Sequence, residues 1–178
     1  MLLNIYLISH PLIKTLSNSI TNYSQSKNYN EYQYKYLGLF LLYEMLTEHI
    51  KVYKIYIKKI SSVKQINVLN SNKEYYIITD LLDTYTIIGE IKSLVPEIQI
   101  LSLKQEINLS QNNLSKQIIL LEILLDNTKI INLINLLIKE HNINDTNILV
   151  ACIASKNEVL KKIGKIFPNL KIYTTKIF

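Results

Sequence analysis

The strongest structural signal in this chain lies in residues 116–173, which read KQIILLEILLDNTKIINLINLLIKEHNINDTNILVACIASKNEVLKKIGKIFPNLKIY. Apolar runs without polar alternation recur in this stretch, as expected of strands that are buried on both faces. Amphipathic segments with helical spacing separate the runs. We predict strands at 117–121, 148–153 and 170–173, and helices at 130–140 and 156–167. Strands that alternate with helices of this length indicate βαβ units and a parallel sheet.

Ligands of such a sheet are expected to bind at the loops that follow the carboxyl ends of the strands. The two loops concerned are residues 122–129 and 154–157, and neither contains a glycine. Phosphate-binding loops use glycine because it lets the backbone approach the ligand closely. The absence of glycine therefore argues against a phosphate cradle at either loop.

The candidate binding residues lie in the first of these loops, and they are Asp126, Asn127, Thr128 and Lys129. A phosphate could bind the amino terminus of the following helix, with Lys129 nearby. The competing interpretation makes Asp126 the N-cap of that helix, where its negative charge would repel a phosphate. The missing glycines favour the second interpretation.

The composition indicates one α/β domain over residues 1–178, with a net charge of +6. Every cationic side chain counted in that charge is a lysine, because the chain has no arginine. Lysine, asparagine, isoleucine and tyrosine are all over-used, and their codons are A/T-rich. The basic charge can therefore reflect the genome as well as a nucleic-acid partner, so composition alone does not favour RNA binding.

The single cysteine, Cys152, lies in a predicted buried strand and cannot form an internal disulfide. It is expected to be a small core side chain in a reducing compartment rather than a nucleophile. The longest apolar runs are shorter than the ~20 residues of a membrane-spanning helix. Residues 1–7 are apolar but lack the basic start and the cleavage site of a signal peptide. We therefore expect no membrane partner.

In the first half of the chain, the sequence pattern predicts two helices that precede the first strand. Pro11 suits the first position of a helix. A longer helix is predicted over residues 30–47, with Asn30 as its cap. Its apolar stripe is Tyr36, Phe40 and Tyr43, with Leu39, Leu42 and Leu46 beside it. Such an aromatic stripe is more often core than ligand site.

An alternating segment at residues 51–60 predicts a half-exposed strand in a hairpin that ends near residues 67–73. Further strands are predicted at 75–79 and 98–103. The helix between them is expected to start at the cap Asp83 and to end before Pro96.

Candidates for catalysis are sparse. His10, His49 and His141 are scattered, without the spacing of metal ligands. Asp80 and Asp83 lie three residues apart at a strand-to-helix turn, where helix capping competes with acid–base or metal chemistry. Capping explains them more simply, so we predict no catalytic residue and no metal site.

Several segments, taken together and in order, resemble uracil phosphoribosyltransferases. They are His10–Ile13 (HPLI), Leu37–Glu44 (LGLFLLYE), Ser93–Pro96 (SLVP) and the final block 148–174. The resemblance covers the whole chain and implies a type I phosphoribosyltransferase-like α/β fold, a mainly parallel sheet with helices on both faces. It also implies a reaction of uracil with phosphoribosyl diphosphate to give UMP, Mg²⁺ as cofactor and activation by GTP.

The departures from this family fall on its chemistry. The family's diphosphate loop, Asp-Pro-Met-Leu-Ala-Thr-Gly-Gly, corresponds to Glu122–Lys129, where both glycines are missing. An Arg-Ala-Gly-Leu segment corresponds to Leu82–Tyr85, where no arginine stands. An Ala-Pro-Glu-Gly turn corresponds to Lys156–Val159 and keeps only Glu158. The glycine-rich carboxyl-terminal segment that forms the uracil pocket is not found before the sequence ends at Phe178. Both substrate sites are therefore expected to be impaired.

Three hypotheses for function follow. The first is a uracil phosphoribosyltransferase homologue in pyrimidine salvage with impaired or lost catalysis. The second is a non-catalytic relative that binds a nucleotide or a partner protein, including a homodimer. The third is an RNA-binding regulator on the same scaffold, which would use Lys51, Lys54, Lys58 and Lys59 and which charge alone supports. Because the family occurs in red-algal plastid genomes, we expect a chloroplast location, with the cytoplasm of an A/T-rich bacterium as the alternative.

Overall fold

The computed structural model describes residues 3–18, 27–69, 73–104, 107, 109, 115–126 and 128–178. Strands and helices alternate along most of this part of the chain. In order they are β1 (Asn4–Leu7), α1 (Pro11–Asn18), α2 (Lys27–His49), β2 (Val52–Lys58), β3 (Val63–Leu69), β4 (Lys73–Thr79), α3 (Leu81–Leu94), β5 (Gln99–Ser102), β6 (Ser115–Leu125), α4 (Lys129–Lys139), β7 (Ile148–Ser155), α5 (Asn157–Ile166) and β8 (Lys171–Ile177).

The main sheet has six strands in the order β1-β8-β7-β6-β4-β5, and each neighbouring pair is parallel. The predicted parallel sheet is therefore confirmed, together with its five predicted strands. Strand β1 was not predicted, and it adds to the edge of the sheet by pairing with β8 from Asn4↔Lys171 to Leu7↔Thr174. The described helices include none that is long and apolar enough to cross a membrane.

Side chains that alternate along the strands form two cores, one on each face of the sheet. On β6, Ile119 and Leu121 pack into a core with α1, α2 and α3. Their neighbours Ile118 and Leu120 pack on the other face with α4 and α5. Helices on both faces are therefore confirmed, and Cys152 is fully buried in the second core, as predicted.

Strands β2 and β3 form a separate antiparallel hairpin, as predicted. The prediction of a half-exposed strand was wrong, because every residue of β2 is exposed. Both faces of the hairpin are open to solvent along this strand.

Helix α2 buries Leu42 and Leu46 beside the predicted stripe, but not the tyrosines of the stripe itself. Tyr36 and Tyr43 are 46% and 64% exposed, whereas Leu37, Leu41 and Met45 are fully buried. The aliphatic side chains pack in the core against the sheet. Gly38 lets α2 approach Ile87 of α3 closely. Asn30 is not the cap, because the helix begins at Lys27.

Candidate functional site

The carboxyl ends of the neighbouring strands β4 and β6 lie side by side, with Thr79 paired to Leu121, and we call this edge of the sheet the crevice. Helix α3 leaves β4 toward one face of the sheet, and α4 leaves β6 toward the other face. Neighbouring strands whose connections diverge in this way define the topological switch point, where ligands bind in open α/β sheets. We therefore take the residues at these two strand ends as the candidate site.

The β4 side of the crevice is fixed by hydrogen bonds of two buried threonines. Thr79 Oγ1 donates to the carbonyl of Leu121 on β6 at 2.7 Å and lies 2.9 Å from Thr84 Oγ1. Thr84 Oγ1 is 2.8 Å from the carbonyl of Asp80, to which it donates. These contacts join β4, β6 and the first turn of α3, so this corner of the site is rigidly held.

Asp80, rather than the predicted Asp83, caps helix α3. Its carboxylate accepts a hydrogen bond of 3.1 Å from the backbone N–H of Leu82. Asp83 lies inside the first turn because the helix begins at Leu81. Lys104 Nζ forms an ion pair of 3.0 Å with Asp80, and this hydrogen-bonded cation, followed by the Leu82 N–H, lowers the pKa of the aspartate.

The segment Leu82–Tyr85 occupies the first turn of α3, where the family resemblance places an arginine. Leu82 and Tyr85 are 75% and 57% exposed, whereas Thr84 is buried. The crevice therefore receives no guanidinium from this turn.

Glu122 lies on β6 within the crevice and was not predicted as a site residue. Burial raises its pKa to about 7, and the negative charges of Asp126, Asp83 and Asp80 add to this shift. Lys129 opposes the shift. Three carboxyl groups, those of Asp126, Asp83 and Asp80, are thus close enough to interact electrostatically with that of Glu122. A charged residue inside the apolar run 118–125 was the signal in the sequence that could have identified it.

The four predicted binding residues, 126–129, follow strand β6 directly in the sequence. Strand β6 continues to Leu125, so Glu122–Leu125 are strand rather than loop, and the turn starts at the exposed residue Asp126. Lys129 is the first residue of α4 and lies near enough to Asp80 and Glu122 to affect their pKa values. Asn127 lies outside the described residues. The structure therefore brings Asp126, Thr128 and Lys129 to the crevice.

Asp126 does not cap α4, which corrects the preferred interpretation of the sequence. The cap position is Thr128, and its side chain makes no capping hydrogen bond. Asp126 follows the strand directly and precedes the first helical residue by three positions, so it is too early in the chain to act as the cap. Its negative charge is still close enough to Glu122 to contribute to the raised pKa of that residue.

The second predicted loop, residues 154–157, is hydrogen-bonded to the last strand and the residue after it. Ser155 belongs to β7, is buried, and its hydroxyl donates to the carbonyl of Lys176 at 3.4 Å. The cap of α5 is Lys156, whose side chain makes no capping hydrogen bond. The N–H of Asn157 instead donates to the carbonyl of Phe178 at 2.9 Å. This helix start is thus bonded to the protein's own backbone.

The described residues contain no group of three side chains that could hold a metal ion. The Mg²⁺ implied by the resemblance therefore has no ready-made set of protein ligands in this part of the chain.

The fold and the crevice define an α/β protein with a doubly wound parallel sheet and a switch-point site. The sequence model described as Uracil phosphoribosyltransferase matches residues 7–177. This chain therefore belongs to the uracil phosphoribosyltransferase family.

The chain is also similar to two curated proteins in sequence and to a solved structure in fold. Two curated proteins, each named "Uracil phosphoribosyltransferase homolog", come from Pyropia yezoensis and Porphyra purpurea. They are 28% and 29% identical to this chain, and each match covers 99% of the chain and 89% of the relative. The AQ2163 protein from Aquifex aeolicus has a similar fold, with a TM-score of 0.74 at 20% identity, over 97% of this chain and 86% of that one.

Proposed function

We propose that this protein is a uracil phosphoribosyltransferase homologue that has lost most or all phosphoribosyl transfer. The observation that carries the proposal is the crevice after β6, where burial and the nearby charges of Asp126, Asp83 and Asp80 raise the pKa of Glu122 and the turn to α4 lacks glycine. Family membership supports the scaffold and pyrimidine salvage as its ancestral context. The residues at the crevice support the loss of catalysis.

Transfer from phosphoribosyl diphosphate requires stabilisation of a departing diphosphate. Backbone N–H groups in a glycine-rich loop supply this stabilisation, because glycine has no side chain that would keep the backbone away from the phosphates. Here the turn carries Asp126 and side chains of full size, and the negative groups nearby repel a diphosphate. Loss of one such donor commonly costs roughly a hundredfold to a thousandfold in rate.

The positive groups at the crevice do not compensate for this loss. Lys104 is already paired with Asp80. Lys129 lies among Asp80, Glu122 and the other carboxyl groups, so its charge is largely balanced. The position where the family resemblance expects an arginine is occupied by the first turn of α3, which has none.

The test is a direct assay of UMP formation. The protein is incubated with labelled uracil, phosphoribosyl diphosphate and Mg²⁺, with and without GTP, beside an active uracil phosphoribosyltransferase as positive control. We expect product at less than about one thousandth of the control rate. Turnover of roughly one per second or faster would overturn the proposal.

Calorimetric titration with UMP and with phosphoribosyl diphosphate distinguishes loss of chemistry from loss of binding. Saturable binding of UMP without turnover supports the alternative role as a non-catalytic nucleotide-binding protein. Heat from phosphoribosyl diphosphate that matches the active control would show that the crevice still accepts the diphosphate, contrary to the argument from its carboxylates.

We also propose a homodimer, in which the apolar face of the β2–β3 hairpin contacts a second copy. On β2 this face presents Tyr53, Ile55 and Ile57, which are 50%, 49% and 44% exposed. A two-stranded hairpin without a packed face is marginally stable in water, so a cover for this face is expected. Light scattering coupled to gel filtration checks the mass, and Ile55→Asp should give a monomer if the proposal holds.

We propose the chloroplast stroma as the location of the protein, with a bacterial cytoplasm as the alternative. The A/T-biased composition and the red-algal sources of the curated relatives support it. Locating the gene in a plastid or a bacterial genome tests the proposal.

A further inference from the structure

The β2–β3 hairpin concentrates the positive charge of the chain. Residues 51–69 contain the lysines 51, 54, 58, 59 and 64 and no acidic residue, whereas the 14 aspartates and glutamates all lie elsewhere. Codon bias raises the lysine content of a whole chain, but it does not remove acidic residues from one segment. The hairpin therefore has a local charge of +5 on a chain whose net charge is +6.

The register of the hairpin separates its side chains onto two faces. Cross-strand partners share a face, so Lys54, Tyr56 and Lys58 lie together on β2, opposite Asn67, Gln65 and Val63 on β3. All three of these β2 residues are exposed, Tyr56 by 62%. The other face is apolar except for Lys64, which pairs with Ile57.

The polar face has the chemistry of a surface for single-stranded nucleic acid. Lys54 and Lys58 stand about 13 Å apart along an extended strand, with Tyr56 midway between them. An exposed aromatic ring stacks on any base, while lysines on either side neutralise phosphates. Gln65 lies directly across from Tyr56 and can both donate and accept hydrogen bonds at a base edge.

We propose that this face, defined by Lys54, Tyr56, Lys58, Gln65 and Asn67, binds single-stranded nucleic acid. One base stacks on Tyr56, and the flanking phosphates contact the two lysines. Binding is weak and depends little on sequence, because phosphate contacts and stacking carry it. The proposal goes beyond the loss of catalysis argued above, and the outcome of the UMP assay does not bear on it.

The experiment measures fluorescence anisotropy of a labelled oligouridylate of about twelve nucleotides, and of the matching oligothymidylate, as salt increases. Each lysine–phosphate contact on a single strand contributes roughly 0.7 to the slope of log affinity against log salt concentration. Lys58→Gln should therefore reduce the magnitude of that slope by about 0.7. Lys64→Gln removes the same charge from the other face of the same hairpin and should leave the slope unchanged.

Substitution of the tyrosine tests the stacking separately. Tyr56→Ala should weaken binding by at least about fivefold, as expected for the loss of one base–aromatic stack. Tyr43→Ala removes a comparably exposed tyrosine from α2 and serves as the control. Circular dichroism of each variant verifies that the fold is retained. We expect it to be retained, because these side chains are exposed.

Three outcomes of the anisotropy experiments would overturn the proposal. They are the absence of saturable binding at low salt, equal effects of Lys58→Gln and Lys64→Gln on the slope, and binding that Tyr56→Ala does not weaken. Sedimentation with anionic phospholipid vesicles, without binding of either oligonucleotide, would assign the charge to a lipid surface and would also overturn it. Binding of both oligonucleotides supports recognition through phosphates and base faces. A preference for the oligouridylate identifies RNA, rather than DNA, as the ligand.

Discussion

Gly38 of α2 lies so close to Ile87 of α3 that a Cβ atom at position 38 would be 2.7 Å from Cγ1 and 2.9 Å from Cγ2 of the isoleucine. Ile87 is buried and branched at Cβ, so its side chain has little freedom to move away. This contact sets the spacing of two helices on one face of the sheet. Helix α3 starts at the candidate site, so the contact also positions the Asp80 corner of the crevice.

We predict that Gly38→Ala destabilises the protein by about 1–2 kcal/mol. Overpacking of a core commonly costs about 1–3 kcal/mol, and the higher helix propensity of alanine offsets less than about 1 kcal/mol of that. Gly89→Ala in α3 is the matched control, because a Cβ there would meet nothing within 4 Å. It should stabilise the protein by about 0.5–1 kcal/mol. Urea denaturation measures both, and equal shifts in the two variants would contradict the prediction.

The capping assignment at the crevice predicts unequal effects of two neighbouring aspartates. Asp80→Ala removes the acceptor of the Leu82 N–H and should cost about 1 kcal/mol. Asp83→Ala removes only a first-turn charge and should cost about 0.3 kcal/mol. Thermal unfolding at low salt compares the two variants. A larger loss for Asp83→Ala would restore the assignment that the sequence alone suggested.

The parallel sheet could be predicted because its signal is local. Strands β6, β7 and β8 are apolar runs separated by amphipathic segments, and the alternation needs no knowledge of distant contacts. Strand β1 escaped prediction because Asn4–Leu7 is short and becomes a strand only by pairing with β8, far away in the sequence. The pattern of a segment cannot reveal a partner that lies at the other end of the chain.

The predictions of the buried face of α2 and of the end of β6 failed for a related reason. The aromatic spacing of Tyr36 and Tyr43 is as periodic as that of Leu37 and Leu41, and tertiary packing chose the aliphatic stripe. Strand β6 passes Glu122 because β7 continues beside it, from Leu124↔Ala154 to Leu125↔Ser155. The charge at Glu122 marked the end of the strand in the sequence, but it marks the end of the neighbour β4 in the structure.

The hydroxyl of Tyr173 should contribute measurably to stability. It donates to Glu48 at 2.7 Å and accepts from Nε2 of His49 at 3.0 Å, so it joins β8 to the end of α2. Tyr173→Phe should cost about 1–2 kcal/mol, because it leaves the half-buried imidazole without this partner. Tyr6→Phe is the control. The ring of Tyr6 stacks on that of Tyr173 at 4.6 Å, and its hydroxyl forms no hydrogen bond to the described residues. Chemical denaturation should separate the variants, and a loss from Tyr6→Phe as large as from Tyr173→Phe would contradict the assignment.

Glu122 should make stability fall as pH rises through the weakly acidic range. Its pKa is about 7 in the folded protein against an ordinary value of 4.5, so the folded chain binds this proton more tightly than the unfolded chain. Stability from this group is therefore complete below about pH 4.5 and is lost between about pH 4.5 and 7. The shift corresponds to at most about 3 kcal/mol, and solvent access to this half-buried group reduces it to about 1–2 kcal/mol.

Glu122→Gln tests this dependence, because an amide has the shape of the carboxyl group but does not ionise. We expect the variant to be more stable than the parent by about 1–2 kcal/mol at about pH 8, with the difference shrinking or reversing at about pH 4. Glu97→Gln replaces an exposed glutamate outside the crevice and should keep the pH profile of the parent. Urea denaturation across this range gives the profiles. Parallel profiles for the parent and Glu122→Gln would mean that neither burial nor the carboxylates of Asp126, Asp83 and Asp80 raise the pKa of Glu122. The electrostatic argument against diphosphate binding would then lose its support, and the missing glycines alone would have to explain the loss of catalysis.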